Sequence, residues 1–510
     1  MKTMTANPGL ITARRPARFG RAAHWSLGVA AWALLVTAAL LTALLLGWVL
    51  LGLALLGSGP YAAGAPVPWI LLALLGSASS LAWLTTHYFA PWRVVGRAIG
   101  LVVALVLLVG TTWALSAPNA ALYYAREIAW GGNDAPDYAK AMAQAGTGSL
   151  YSARFPQRAV NNVAPVFHFP QNQSTQLFQT IRYQQGGQVR QTSLGEFMRA
   201  TQTTSFIVIQ DGAILAERYG SGFTRDSVVT SFSMAKSFMS ALVGIAMHEG
   251  YIGGLDDRMV AYLPELRGRG LDNTTIRDLL TMSAGISTRN TDALRLLGLA
   301  DDPLTTNYPD LRVLALSVKA GADAPGTAFS YSNYDAQLLG LILERTTHRP
   351  VAQYLQEKIW QPLGMEYPAS WTLDSTQSGF EKMAMGLNAR AIDLAKFGQL
   401  YLDNGNWNGA QIIPADWVKE STAPDRADNR PWRTSGPWKA ANGYYQYLWW
   451  GVTRPDGSYA YMARGNLQQQ FIYVSPRDRV VIVRLGLVDG SADWWPDVFQ
   501  SVIDKVNANK

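Results

Sequence analysis

Ser233 and Lys236 stand three residues apart in the segment Ser233-Met234-Ala235-Lys236. A serine hydroxyl is a weak nucleophile near neutral pH and needs a base within hydrogen-bond reach. On a helix, residues i and i+3 share a face. Lys236 can therefore approach the Ser233 hydroxyl while the helix N-terminus turns its amide dipoles toward a reacting carbonyl. The chemistry this predicts is acyl transfer through serine. The spacing alone is weak, since a chain of this composition produces about one such pair by chance, and its bland reading is an ordinary helix start. The pair nevertheless follows a strand hairpin directly, and no other lysine follows a serine at this spacing.

Two further segments carry suitable residues. Tyr331-Ser332-Asn333 follows Pro325-Gly326 and Phe329-Ser330 and leads into a helix expected over residues 335–347. A tyrosine near Lys236 could relay a proton to a leaving group; loop chemistry is the plain alternative, because Ser and Asn favour turns. Ala463-Arg464-Gly465-Asn466 ends a late strand. Gly465 would let the backbone approach a substrate, and a main-chain N–H there could pair with that of Ser233 as an oxyanion hole. A simple strand end is the alternative, and Arg464 would face either the site or solvent.

The elements that must position these residues can be read locally. Residues 205–209 and 213–219 flank Asp211-Gly212, a strong hairpin signal. Residues 232–249 place apolar side chains at helical spacing and end at Gly250. Residues 255–417 alternate helical patterns with Gly/Pro/Asn-rich loops and show no convincing strands. Runs at 459–463, 471–474 and 480–485 are β-branched or aromatic, and 493–506 reads as a closing helix. Strands at both ends around a helical block predict an α+β domain with an antiparallel sheet flanked by helices.

Together these motifs resemble the serine β-lactamase and penicillin-binding-protein family, in the branch of class C β-lactamases, esterases and 6-aminohexanoate-dimer hydrolases. The resemblance runs from about residue 203 to 507. It includes Leu255-Asp256-Asp257, Tyr262-Leu263-Pro264-Glu265, Thr275-Ile276-Arg277-Asp278-Leu279-Leu280, Pro362-Leu363-Gly364-Met365 and Asp393-Leu394-Ala395-Lys396-Phe397-Gly398. It implies Ser233 as the acylated nucleophile, Lys236 as its proton acceptor and Tyr331 as an aid to acylation and deacylation. Asn333 would position substrate and lysine, with the main chain of Ser233 and Asn466, beside Gly465, holding the oxyanion. The third motif departs from the Lys-Thr-Gly or His-Thr-Gly usual in β-lactamases: here it is Ala463-Arg464-Gly465. The resemblance therefore implies an amidase or esterase more than a β-lactamase, on a small-molecule or peptide-like substrate, without metal or organic cofactor.

Composition sets the rest. Residues 1–125 hold seven cations and no acid, which equals the whole net charge of +7, so the basicity argues for membrane topology and against a nucleic-acid partner. Three apolar segments, at about residues 25–56, 68–83 and 99–115, suit a bilayer that needs roughly 20 helical residues; the middle one is short and interrupted by Ser77, Ser79 and Ser80, and a re-entrant or interfacial segment is its alternative. Cations at Lys2, Arg14, Arg15, Arg18, Arg21, Arg93 and Arg97 place the N-terminus inside and everything after Ser116 outside the cytoplasmic membrane. The expected organisation is a basic N-terminus (1–24), a transmembrane region (25–117), a connector and extension (118–200) and the hydrolase domain (201–510). The absence of Cys removes thiol nucleophiles and disulfides. With five His, none in a recognisable motif, and no Gly-x-Ser-x-Gly elbow, a Ser-His-Asp hydrolase or a zinc hydrolase fits poorly. The competing class is a membrane-bound penicillin-binding or peptidoglycan-sensing protein with little turnover. Oligomeric state has no signal.

Overall fold

The computed structural model describes residues 155–508 apart from 174–179, 221, 289–300, 466–469, 488–491 and 493. The three apolar segments and Asn466 lie outside the described residues. Among the described residues no helix is long and apolar enough to cross a membrane.

The Asp211-Gly212 hairpin forms as its residues dictate. Both adopt the left-handed backbone that a two-residue hairpin loop requires, at φ +48° and +77°, and Gln210 pairs with Ala213 across the turn. The strands are β1 (Thr203–Gln210) and β2 (Ala213–Tyr219). The C-terminal part supplies β3 (Gly443–Gln446), β4 (Trp449–Thr453), β5 (Tyr459–Gly465), β6 (Gln470–Ser475) and β7 (Val480–Gly486). They form one antiparallel sheet in the order β3-β4-β5-β6-β7-β1-β2. Strands more than 250 residues apart in sequence are thus joined where Val480 pairs with Gln210.

Both faces of this sheet are covered, which is why every residue of β7 is buried. The helices that matter are α1 (Ala235–His248), α2 (Asp301–Asn307), α3 (Asn333–Thr347), α4 (Ala391–Leu402) and α5 (Trp495–Ala508). Alternation along β6 sends Phe471 and Tyr473 toward Phe499 of α5, with ring centroids 5.3 and 4.9 Å apart. Ile472, pointing the other way, meets α4 at Gly398. Behind α4 lies α1, where Phe238 stacks on Phe397 at 3.7 Å. From Ala235 to Ala246 every residue of α1 is buried, as befits a helix that is apolar on nearly all sides.

A second, smaller antiparallel sheet corrects the expectation that residues 255–417 lack strands. Its order is Gln157–Val160, Ala369–Thr372, Leu387–Ala389, Val229–Thr230. These strands are two to four residues long, too short to display a period-two pattern, and their pairing is entirely long-range. Its first strand comes from the stretch expected to be connector, which also contributes a hairpin, Ile181–Gln185 with Gln188–Thr192, and the helix Leu194–Ala200. The small sheet matters for the site because Val229–Thr230 runs into Ser233 and lies beside Leu387–Ala389.

A Cβ on Gly398 would fall 2.6 Å from Val481 Cγ1 and 2.7 Å from Ile472 Cγ2, two stiff β-branched side chains. Gly398→Ala is therefore expected to overpack the α4–sheet contact and lower stability by about 1–3 kcal/mol; an unchanged urea midpoint would contradict this packing.

Candidate active site

Val229–Thr230 is held by Ser231, whose N–H donates to the Leu387 carbonyl at 2.8 Å. The chain then turns sharply. Phe232 sits at φ +47°, a conformation that costs energy for a bulky residue and persists only where surrounding structure enforces it. One 3-10 turn, Phe232–Met234, precedes α1. The kink has a consequence for exposure: from Val229 to Ala246 every residue is buried except Ser233. What enforces the turn is the end of β5. A Cβ at Gly465 would lie 2.3 Å from the Ser231 carbonyl oxygen and 3.1 Å from Phe232 Cβ. Gly465, by lacking a Cβ, admits the turn that carries Ser233.

Lys236, 1% exposed, reaches back to Ser233 as the i, i+3 geometry predicts. Its Nζ lies 3.0 Å from Ser233 Oγ, 2.8 Å from Asn333 Oδ1 and 3.0 Å from the Ala384 carbonyl oxygen. The amide and carbonyl oxygens can only accept. Two N–H bonds are thereby directed to Asn333 and Ala384, leaving the third position of the nitrogen facing the serine hydroxyl. In the neutral amine that position is a lone pair, which can receive the Ser233 proton.

Each partner is placed by its own element. Ser332 caps α3 by accepting from the Tyr334 N–H at 3.1 Å, which sets Asn333 as the first helical residue. The Asn333 Nδ2 donates to Thr305 Oγ1 of α2 at 3.0 Å. Ala384 lies between Lys382 and the small sheet. The side chain of its neighbour Met383 occupies the notch at Gly340 of α3, where a Cβ would come within 2.3 Å of Met383 Cγ.

Tyr331 is beside the pair but does not bond to it. Its ring centroid is 4.8 Å from Lys236 Nζ, and its N–H donates to Thr434 Oγ1 at 2.8 Å. Among the described residues its hydroxyl makes no hydrogen bond. The ring is wedged by Tyr445, edge-on at 5.9 Å, and Trp450 at 5.5 Å. Arg464 lies over the faces of Trp450 and Trp438, at 5.5 and 5.0 Å, so this side chain belongs to the aromatic wall flanking Tyr331.

Asp335, two residues beyond Asn333, is buried, and its Oδ1 has no hydrogen-bond partner. Burial holds its carboxyl well above the ordinary carboxylate range, with the charge of Asp278 adding to the rise and that of Lys236 opposing it. No carboxylate lies within ion-pair distance of Lys236 among the described residues. The described histidines are elsewhere: His168 pairs with Glu366, His248 is exposed near the end of α1 and His348 caps α3. The residues not singled out in sequence were Ala384, Thr305, Thr434, Trp450 and Asp335. Ala384 acts through its carbonyl, which no residue type advertises.

The family model described as Beta-lactamase matches residues 190–490. The chain belongs to the beta-lactamase family. It is a serine hydrolase of that family. A 6-aminohexanoate-dimer hydrolase of Paenarthrobacter ureafaciens is 27% identical over 324 residues, covering 60% of this chain and 76% of that protein. A D-aminopeptidase of Brucella anthropi is 29% identical over 168 residues, which is 31% of each chain. Among solved structures, a Bacillus anthracis protein provisionally assigned as a 6-aminohexanoate-dimer hydrolase superposes with TM-score 0.59 at 24% identity, covering 70% of this chain and 91% of its own. A Bacteroides dorei protein provisionally assigned as a beta-lactamase gives 0.52 at 22%, covering 62% and 97%. These two share the beta-lactamase fold with this chain.

Because the Gly465 contact is with main chain, it cannot relax by a rotamer change. Gly465→Ala is expected to displace the Ser233 turn and reduce turnover by about 100-fold while secondary structure survives. Parental activity in that variant, with an unchanged circular-dichroism spectrum, would exclude the role assigned to this contact.

Proposed function

We propose that this beta-lactamase-family member hydrolyses an amide or ester bond through an acyl-Ser233 intermediate, in a catalytic domain held outside the cytoplasmic membrane. The observation that carries the chemistry is the 3.0 Å approach of Lys236 Nζ to Ser233 Oγ, with the other lysine contacts fixed on obligatory acceptors. In the first step Oγ attacks the carbonyl carbon and its proton passes to Nζ. The bond from that carbon to the leaving nitrogen or oxygen breaks, and the departing group takes a proton relayed by Tyr331. Water then attacks the acyl ester, the same groups moving a proton in the reverse sense, and the acid leaves Ser233 free. Asn333 positions lysine and substrate. The oxyanion is assigned to the N–H of Ser233 and a main-chain N–H at Gly465 or Asn466.

Amides are the favoured class, since the relatives named above act on a 6-aminohexanoate dimer and as D-aminopeptidases. Ala463-Arg464-Gly465 in place of a Lys-Thr-Gly motif weighs against β-lactams as the principal substrate. The membrane assignment rests on the apolar segments of residues 25–117 and on their flanking cations. The partners are therefore a small amide or ester substrate and the lipid bilayer.

In detergent, the full-length protein should react with a fluorophosphonate at Ser233 and turn over linear amides, D-amino-acid peptides or p-nitrophenyl esters faster than nitrocefin. Lys236→Met should lower kcat by about 1000-fold with little change in KM. Labelling that persists in Ser233→Ala would reject the nucleophile, and predominant nitrocefin turnover would reject the substrate class. A periplasmic reporter fused after Ser116 should be active; activity confined to a cytoplasmic reporter would reject the topology.

A further inference from the structure

An asparagine amide presents either its oxygen or its nitrogen to a neighbour, and the reading above needs oxygen at Asn333. The proton count on Thr305 decides between them. Thr305, on α2, donates its hydroxyl proton to the Asp301 carbonyl four residues back, at 2.6 Å, a common bond for a helical threonine. A hydroxyl has one proton. Toward Asn333 the oxygen is therefore an acceptor, and the group it accepts from, at 3.0 Å, must be Nδ2. The opposite edge of the amide, Oδ1, is then turned to Lys236 at 2.8 Å. With the amide reversed, two oxygens would face each other at Thr305 without a proton between them. At Lys236, an N–H would point at Nζ and compete with the Ser233 hydroxyl for the lone pair.

We propose that Thr305 is a positioning residue of the hydrolase: by accepting from Nδ2 it selects the Asn333 orientation that directs the lysine lone pair to Ser233. The inference rests on Lys236 serving as the proton acceptor. It also assigns a task to α2, a two-turn helix fastened to the same region at two further points. Tyr334 donates its hydroxyl to Asp301 Oδ1 at 2.9 Å, and Lys382, two residues before Ala384, donates to the Thr306 carbonyl at 2.7 Å. These bonds hold Thr305 against the start of α3, between the two segments that supply the lysine's distant acceptors.

The test uses the full-length protein and compares Thr305→Val, which keeps the shape without the hydroxyl, with Thr305→Ser, which keeps the hydroxyl. The readouts are the rate of fluorophosphonate labelling and kcat and KM for p-nitrophenyl acetate. Thr305→Val should slow labelling and kcat by about 10- to 100-fold with KM within about 2-fold, and Thr305→Ser should stay within about 3-fold of the parent. In an Asn333→Ala background, Thr305→Val should slow labelling no further, because there is no amide left to orient. Should Thr305→Val melt below the assay temperature, Thr305→Ala carries the same expectation. Parental labelling in Thr305→Val, equal slowing in Thr305→Ser, or additive slowing in the Asn333→Ala background would each overturn the proposal. Ser233→Ala separates the two levels. If it still labels, the hydrolase reading fails; if it is silent while Thr305→Val labels at the parental rate, only the positioning role fails.

Discussion

Burying the Lys236 amine removes it from water, and each of its hydrogen-bonding positions then needs a protein partner, because an unsatisfied buried amine costs several kcal/mol. The partners come from three places: the turn that precedes its own helix, the first residue of α3, and a carbonyl 148 positions further along the chain. All three are neutral oxygens. The usual means of stabilising a buried lysine is a carboxylate, and here burial holds the nearby acid Asp335 well above the ordinary carboxylate range. The amine is thus held in place by neutral oxygens without an ion pair among the described residues.

Much of the surrounding architecture follows from bringing those oxygens to one point. The small sheet sets Val229–Thr230 beside Leu387–Ala389, which fixes the Ser233 turn relative to the Ala384 segment. Close main-chain approach does the rest. β5 can press on the turn only because Gly465 lacks a Cβ, and Met383 can pack into α3 only because Gly340 does. Phe232 remains in a left-handed conformation because it is clamped from that side. Strain at the Ser233 turn is thus balanced by packing in two sheets, and Ser233 alone is only half-buried between Val229 and Ala246, a segment otherwise sealed from solvent.

The wall beside the lysine is aromatic. Tyr331, Tyr445, Trp450 and Trp438 pack edge-to-face or tilted around one another, with Arg464 across two of the indole faces. Such contacts orient rings as well as bury them. They place Tyr331 beside Nζ while leaving its hydroxyl outside any hydrogen bond among the described residues. The Arg464 guanidinium is engaged by these indole faces, which sets the chemistry of this edge of the site.

The hairpin at Asp211-Gly212, the Ser233 helix, the helix after Tyr331 and the late strands were legible because their signals are local. A two-residue turn, a 3.6-residue period or a β-branched run is written in adjacent residues. The same is true of Ser233 and Lys236, since a helix alone brings i and i+3 together. The small sheet was not legible, because strands of two to four residues carry no period and exist only through partners far away in the chain. Asn333 was singled out, but which end of its amide faces the lysine follows from Thr305. Gly465 was singled out for its missing side chain, but that it makes room for the backbone of Ser231 follows only from the fold. The proposed membrane assignment rests on the hydropathy and charge of the sequence alone, in residues outside those described. By itself, then, the sequence determined which serine and lysine stand together and the order of the elements, through short-range geometry. Only the tertiary structure decided what surrounds the lysine nitrogen, because a carbonyl oxygen, an amide orientation and a missing Cβ acquire meaning only from what folding places beside them.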